Sequence, residues 1–234
     1  MSDFSTKTTL GDLVTDDTRR AQIFEQLGID YCCGGDRSLA EACRERELHP
    51  ETVLQMLQAI PEARSTAAGE EDPSNMSLTE LIDHIESTHH VYLREELPRI
   101  ENLLETVAQI HGDQAPYVRQ VREVFDDLKP ELLYHLEQEE DVVFPIIRAL
   151  EREGALPENA RSNDHLIGLR EDEHDEAGAA LAEIRELTDD FTTPDWACNT
   201  FEMAIDSLAQ LEADTHQHVH KENNILFRRA RALM

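Results

Sequence analysis

The chain has 234 residues, enough for one good-sized domain and a small one, and its 40% hydrophobic content can build a core. A formal net charge of -29 excludes a generic phosphate-binding surface, so neither nucleic acid nor an anionic membrane is an expected partner. No run of about 18 apolar residues marks a membrane span, and the start, MSDFSTKTTLGDL, lacks a charged-then-apolar leader, so a cytoplasmic location is expected.

The lysines are Lys7, Lys129 and Lys221 alone, and an acid-rich, lysine-poor surface suits salty surroundings, where screening relieves self-repulsion. Cys32, Cys33, Cys43 and Cys198 are too few for a disulfide framework in a chain of this size. The neighbours Cys32 and Cys33 cannot form an ordinary unstrained bridge with each other. A reducing compartment is the simpler reading.

Residues 1–60 read as a small helical domain. Leu10–Val14 and Ala21–Leu27 form its first helices, Gly28 closes the second, and Tyr31-Cys32-Cys33-Gly34-Gly35 makes a turn. Helices are expected over Ser38–Glu47 and Pro50–Ile60. A unit this small has a marginal core, so it is expected to lean on a partner, and a homodimer is one way to supply it. Residues 61–76 carry Pro, Gly, Ser and acid without periodicity and read as a linker.

Residues 77–234 contain four long amphipathic segments. The first opens with the capping box Ser77-Leu78-Thr79-Glu80 and runs to about Ile110, with Pro98 as a kink. The second spans roughly 115–150, with Pro130 and Pro145 inside it. The third follows Ser162 to about Leu187, and the fourth is expected to begin at Thr193-Pro194. Short connections favour an antiparallel up-down four-helix bundle, giving an all-α fold.

Ionisable side chains interrupt the apolar seams of this bundle. A 4,3 step along the second segment runs Leu128, Leu132, His135, Glu139, Val142, Ile146. Along the fourth it runs Leu208, Leu211, Thr215, His218, Glu222, Ile225. Each seam thus carries an imidazole and a carboxylate one turn apart, where an unpaired charge is strongly disfavoured. In the third segment His174 lies in the seam Ile167, Ala177, Leu181, Ile184, and in the first His84 adjoins Leu81 and Ile85. At about 1.5 Å per residue, all four histidines fall within roughly 10–23 Å of the same end of the bundle. His89, His90, His216 and His220 lie off the seams and read as surface residues or as supports behind the ligands.

A shared metal site resolves the conflict. Six ligands of mixed nitrogen and oxygen exceed a zinc site, and calcium and magnesium prefer all-oxygen sites. Imidazole with carboxylate suits iron, and two carboxylates able to bridge suggest two ions. Ferritin-like centres use Glu-x-x-His; His-x-x-x-Glu points to a hemerythrin-like centre.

With the Tyr31-Cys32-Cys33-Gly34-Gly35 turn, the Glu173-His174-Asp175-Glu176-Ala177-Gly178 stretch and His218-x-x-x-Glu222-Asn223-Asn224-Ile225-Leu226-Phe227, the chain resembles the iron–sulfur cluster repair di-iron proteins, the RIC, YtfE and ScdA family. The resemblance covers nearly the whole chain. It departs after Phe227, where Arg228 stands in place of a frequent proline. The resemblance implies two non-haem iron ions, oxo- and carboxylate-bridged, on His84, His135, Glu139, His174, His218 and Glu222. It implies that Glu131 and Glu173 support or line the approach. Cys32 and Cys33 read either as small buried hydrophobes in a tight turn or, the favoured reading, as an exposed thiol pair that passes iron or electrons. Implied partners are damaged iron–sulfur proteins or a cluster scaffold, with nitric oxide or O2 as small ligand. The implied function is repair of damaged clusters by iron donation or nitric oxide reduction. The competing expectation is a reversible O2 or nitric oxide carrier or sensor without turnover.

Overall fold

A computed structural model describes residues 4–60, 72–154 and 160–234. Among these the structure is helical, with no strand beyond the isolated bridge Thr9–Ser38. The linker expected over 61–76 lies largely outside the described residues; its end, Pro73–Asn75, is a single 3-10 turn capped by Asp72.

The N-terminal unit packs α1 (Leu10–Asp16), α2 (Arg20–Gln26), α3 (Leu39–Glu45) and α4 (Pro50–Gln58) around Leu13, Phe24, Tyr31, Leu39 and Leu57. Its helices start on side-chain caps: Thr9 accepts from the Asp12 amide, and Ser38 with Glu41 completes a capping box.

Four continuous rods make the bundle. The first joins α5 (Leu78–Ile85) and α6 (Val91–His111), and the second joins α7 (Tyr117–Gln138) and α8 (Phe144–Glu153). The third is α9 (Ala160–Leu187), and the fourth joins α10 (Asn199–His220) and α11 (Arg228–Arg231). α6 packs against α7 and α10, and α9 closes the ring by touching the same two helices. Ser77 and Glu80 form the expected capping box. Glu151 of α8 adds to it, accepting from the Leu78 and Thr79 amides at 2.6 and 2.9 Å, so an anion sits on the positive end of α5. Gly154 ends the second rod in the left-handed region, at φ 63°.

The fourth rod begins later than expected. Asp189, Asp190 and Phe191 all have positive φ, and the Ala197 amide closes a turn onto the Pro194 carbonyl. Helix α10 starts only at Asn199, because Trp196 folds back in edge contact with Phe201 and beside His111. Thr193-Pro194 initiates this turn rather than the helix.

Three of the four rods contain a π-helical turn, at Glu86–His90, Glu139–Val143 and Lys221–Phe227. Each inserts about one extra residue into the helical register. All three lie at one level, where the apolar core divides. Leu93, Leu136, Ala177 and Leu211 belong to the cluster on one side; Ile85, Val143, Ile167 and Ile225 belong to the cluster on the other.

The small unit leans on this same level within its own chain. Val219 of α10 is buried in its core, and Asn224 donates to the Tyr31 and Cys32 carbonyls at 3.3 and 2.9 Å. Gly11 and Gly35 let Asn224 approach; a methyl group on Gly35 would overlap Asn224 Oδ1. Gly35 is therefore a docking residue. Gly35→Ala is expected to cost about 1–3 kcal/mol of stability and to loosen the small unit, seen as faster proteolysis near residue 35. Gly35→Ala should be relieved by Asn224→Ala, which removes the clashing amide; an unchanged melt would reject this docking.

Candidate metal centre

Six side chains from the four rods converge at the dividing level. They form two groups whose ligand-type atoms lie within 4.8 Å of one another: His90, Glu139, His218 and Glu222, and His135, Glu139, His174 and Glu222. Glu139 and Glu222 belong to both, and both are fully buried.

Each glutamate divides its oxygens between the two groups. Glu139 Oε2 lies 3.4 Å from His90 Nε2, and its Oε1 lies 3.2 Å from His135 Nε2. Glu222 Oε1 lies 2.9 Å from His218 Nε2, and its Oε2 lies 3.1 Å from His174 Nε2. Within the groups, imidazole nitrogens face each other: His90 and His218 at 3.2 Å, His174 and His135 at 3.0 Å.

The opposite ring nitrogens have other partners. His90 Nδ1 donates to Glu140 at 2.7 Å, and Arg94 grips that carboxylate with two nitrogens. His135 Nδ1 donates to Glu173 at 2.7 Å, which Arg170 also holds. His174 Nδ1 donates to Asn223 Oδ1 at 2.9 Å. A donor engaged at Nδ1 leaves Nε2 as a lone pair aimed inward, the arrangement in which histidines bind metals.

The electrostatics fit cations. Both oxygens of Glu139 and Oε2 of Glu222 are buried without a hydrogen-bond partner among the described residues. Burial works against charge on His90 and His135, yet the facing glutamates outweigh it and push both up to about 10. Burial and the Glu222 charge raise Glu139, but His135 and His90 pull it down to about 2. Protons thus balance the carboxylates when metal is absent, and metal loading must displace them.

Of the expected ligands, the structure brings together His135, Glu139, His174, His218 and Glu222. It does not bring His84 into either group; His90 stands where the first rod's histidine was expected. The reason is the π-helical turn. Stepping forward from Ile82 and Ile85 points to His89, whereas stepping back from Leu104, Ile100, Leu97 and Leu93 points to His90. That mismatch was the available signal for an inserted residue. His90 is completely buried, and His89 and His220 are buried as well, so these three are not surface residues, the first of the two readings given to them.

Glu131 is exposed, and it lines a cavity of about 150 Å³ that reaches His135, His174 and His218. Glu173, Glu176 and Thr215 share this lining. Glu173 acts behind His135, so Glu173→Gln is expected to weaken metal on the His135–His174 side by about 10–100-fold while leaving the His90–His218 side near the parent affinity. Stepwise metal titration reads the two sides; equal loss on both, or on neither, would contradict it.

Cys32 is buried, in contrast to the exposed pair expected, and only Cys33 is partly exposed. Asp30 caps their turn, accepting from the Cys32, Cys33 and Gly34 amides. The two Sγ atoms are 3.9 Å apart. The neighbouring Cys33 thiol, then burial, pushes the Cys32 thiol well up, which keeps it protonated. Cys33 lies toward Gly178 of α9, beside a cavity of about 270 Å³ between the small unit and the bundle.

A four-rod bundle with buried His–Glu groups defines a hemerythrin-type cation-binding domain, and residues 81–230 match the Hemerythrin HHE cation binding domain. Residues 6–61 match the ScdA_N model, a domain of unknown function (DUF542). The iron-sulfur cluster repair protein ScdA of Staphylococcus haemolyticus is 31% identical over 93% of this chain and 95% of its own. The iron-sulfur cluster repair protein YtfE of Enterobacter sp. is 32% identical over 95% of this chain and 96% of its own. The chain belongs to the iron-sulfur cluster repair family that includes these ScdA and YtfE proteins.

Proposed function

We propose that this chain repairs iron–sulfur clusters damaged by nitrosative or oxidative stress, using two non-haem iron ions in the bundle. The observation that carries the reading is the division of each buried glutamate between two histidine pairs. His90 and His218 would hold one ion, His135 and His174 the other, and Glu139 and Glu222 would bridge them. The names of the relatives supply the repair role.

Ferrous ions bound there would supply two electrons and open positions for a small molecule such as nitric oxide or O2. The protein's own residues do the rest. Glu140, Glu173 and Asn223 fix the imidazole tautomers and orientations. The cavity beside Glu131 is of a size for diatomics. The Thr215 hydroxyl, buried without a partner among the described residues, offers a hydrogen bond along the same lining. Histidine and carboxylate release iron more readily than a cage of thiolates, which suits donation. Cys32 and Cys33, with Asp30, would accept or relay iron or electrons at the edge of the bundle.

The test is a cluster protein inactivated by nitric oxide. Incubation with the iron-loaded chain is expected to restore its activity, with iron-free chain inactive. No restoration, together with fully reversible O2 or nitric oxide binding, would replace repair by the carrier reading. Repair unchanged by the double Cys32→Ser, Cys33→Ser replacement would remove the thiol role.

A further inference from the structure

His84, displaced from the metal groups, belongs to a second cluster built like a ligand set. Lys221 Nζ lies 3.0 Å from His84 Nε2 and 2.7 Å from His89 Nε2. An ammonium only donates, so both imidazoles present lone pairs to one point. His89 Nδ1 donates to Asp214 at 2.8 Å. That is the carboxylate–histidine arrangement in which a metal ligand is fixed, with Nε2 turned toward a cation. Here the cation is the protein's own.

The nest also has a direction. His84 and Lys221 are partly exposed, whereas His89 is buried. The His89 ring lies flat against that of His218, centroids 5.3 Å apart and planes within 8°. Two imidazoles and a cation thus lead from the surface to a residue of the metal centre. Lys221 opens the π-helical turn that carries Glu222 and follows His218, at the end of α10, by three residues, so its backbone is held against both.

We propose that His84 and His89 form a metal-transfer site for a divalent cation such as ferrous iron, in which the Lys221 ammonium occupies the ion's place and gates passage between solvent and the centre. Moving Lys221 aside opens two nitrogen donors; its return closes the site and repels a second positive charge. The proposal rests on the two-ion reading of the centre.

Lys221→Met keeps length and removes charge. Titrated with ferrous iron without oxygen, full-length Lys221→Met protein is expected to bind one ion more than the parent. The additional ion is expected to disappear in the double variant Lys221→Met, His84→Ala. Release of iron from the loaded protein to an external chelator should be faster in Lys221→Met by about tenfold or more. A variant with the parent's stoichiometry, or with the parent's release rate, overturns the proposal. A parent that binds fewer than two ions overturns the reading of the centre instead, so the two failures are distinguishable.

Discussion

Glu139→Ala is expected to empty both halves of the metal centre at once. Its two oxygens face different histidine pairs, so their loss withdraws a ligand from each prospective ion. His174→Ala withdraws a ligand from one side only. Losing even a supporting contact behind a ligand commonly costs about 10–100-fold in metal affinity, and losing a ligand costs more. After anaerobic loading and desalting, Glu139→Ala should retain less than about a tenth of the parent's iron, whereas His174→Ala keeps the ion between His90 and His218. Full iron in Glu139→Ala, or equal loss in the two variants, would reject the sharing of that carboxylate.

Metal removal is expected to have the largest effect on stability. Without cations, two carboxylates lie buried between the apolar halves of the core, balanced only by protons on their histidine neighbours. A ligand present at a thousand times its dissociation constant stabilises the folded state by about 4 kcal/mol. For a chain of this size that is about 8–16 °C in melting temperature for each ion. The effect should extend beyond the bundle, because the π-helical turn that carries Glu222 also carries Asn224, which holds the Tyr31–Cys32 backbone. Chelated protein is thus expected to melt earlier and to lose the small unit first. A melt indifferent to chelation would reject the account.

Much of this was legible in the sequence because it depends on periodicity. The seams of the second and fourth rods are regular up to Glu139 and Glu222, so stepping through them reached four of the six converging residues, and the seam of the third rod reached His174. His90 was not reached, because one inserted residue cannot be placed from a single helix read in one direction. It shows only where two registers fail to meet. The late start of α10 was hidden because Thr193-Pro194 suits a turn as well as a helix start, and Trp196 decides between them by packing on Phe201. Gly34 and Gly35 marked a turn correctly. Their reason, the close approach of Asn224 to Gly35 and of Arg37 to Gly34, involves contacts that local sequence does not encode.

The central claim is that two iron ions share Glu139 and Glu222. The most direct measurement is Mössbauer spectroscopy of protein loaded with ⁵⁷Fe without oxygen, with iron counted per chain. The account predicts two irons per chain, magnetically coupled through their shared ligands once oxidised. One iron per chain, or two that behave as isolated ions, would contradict it.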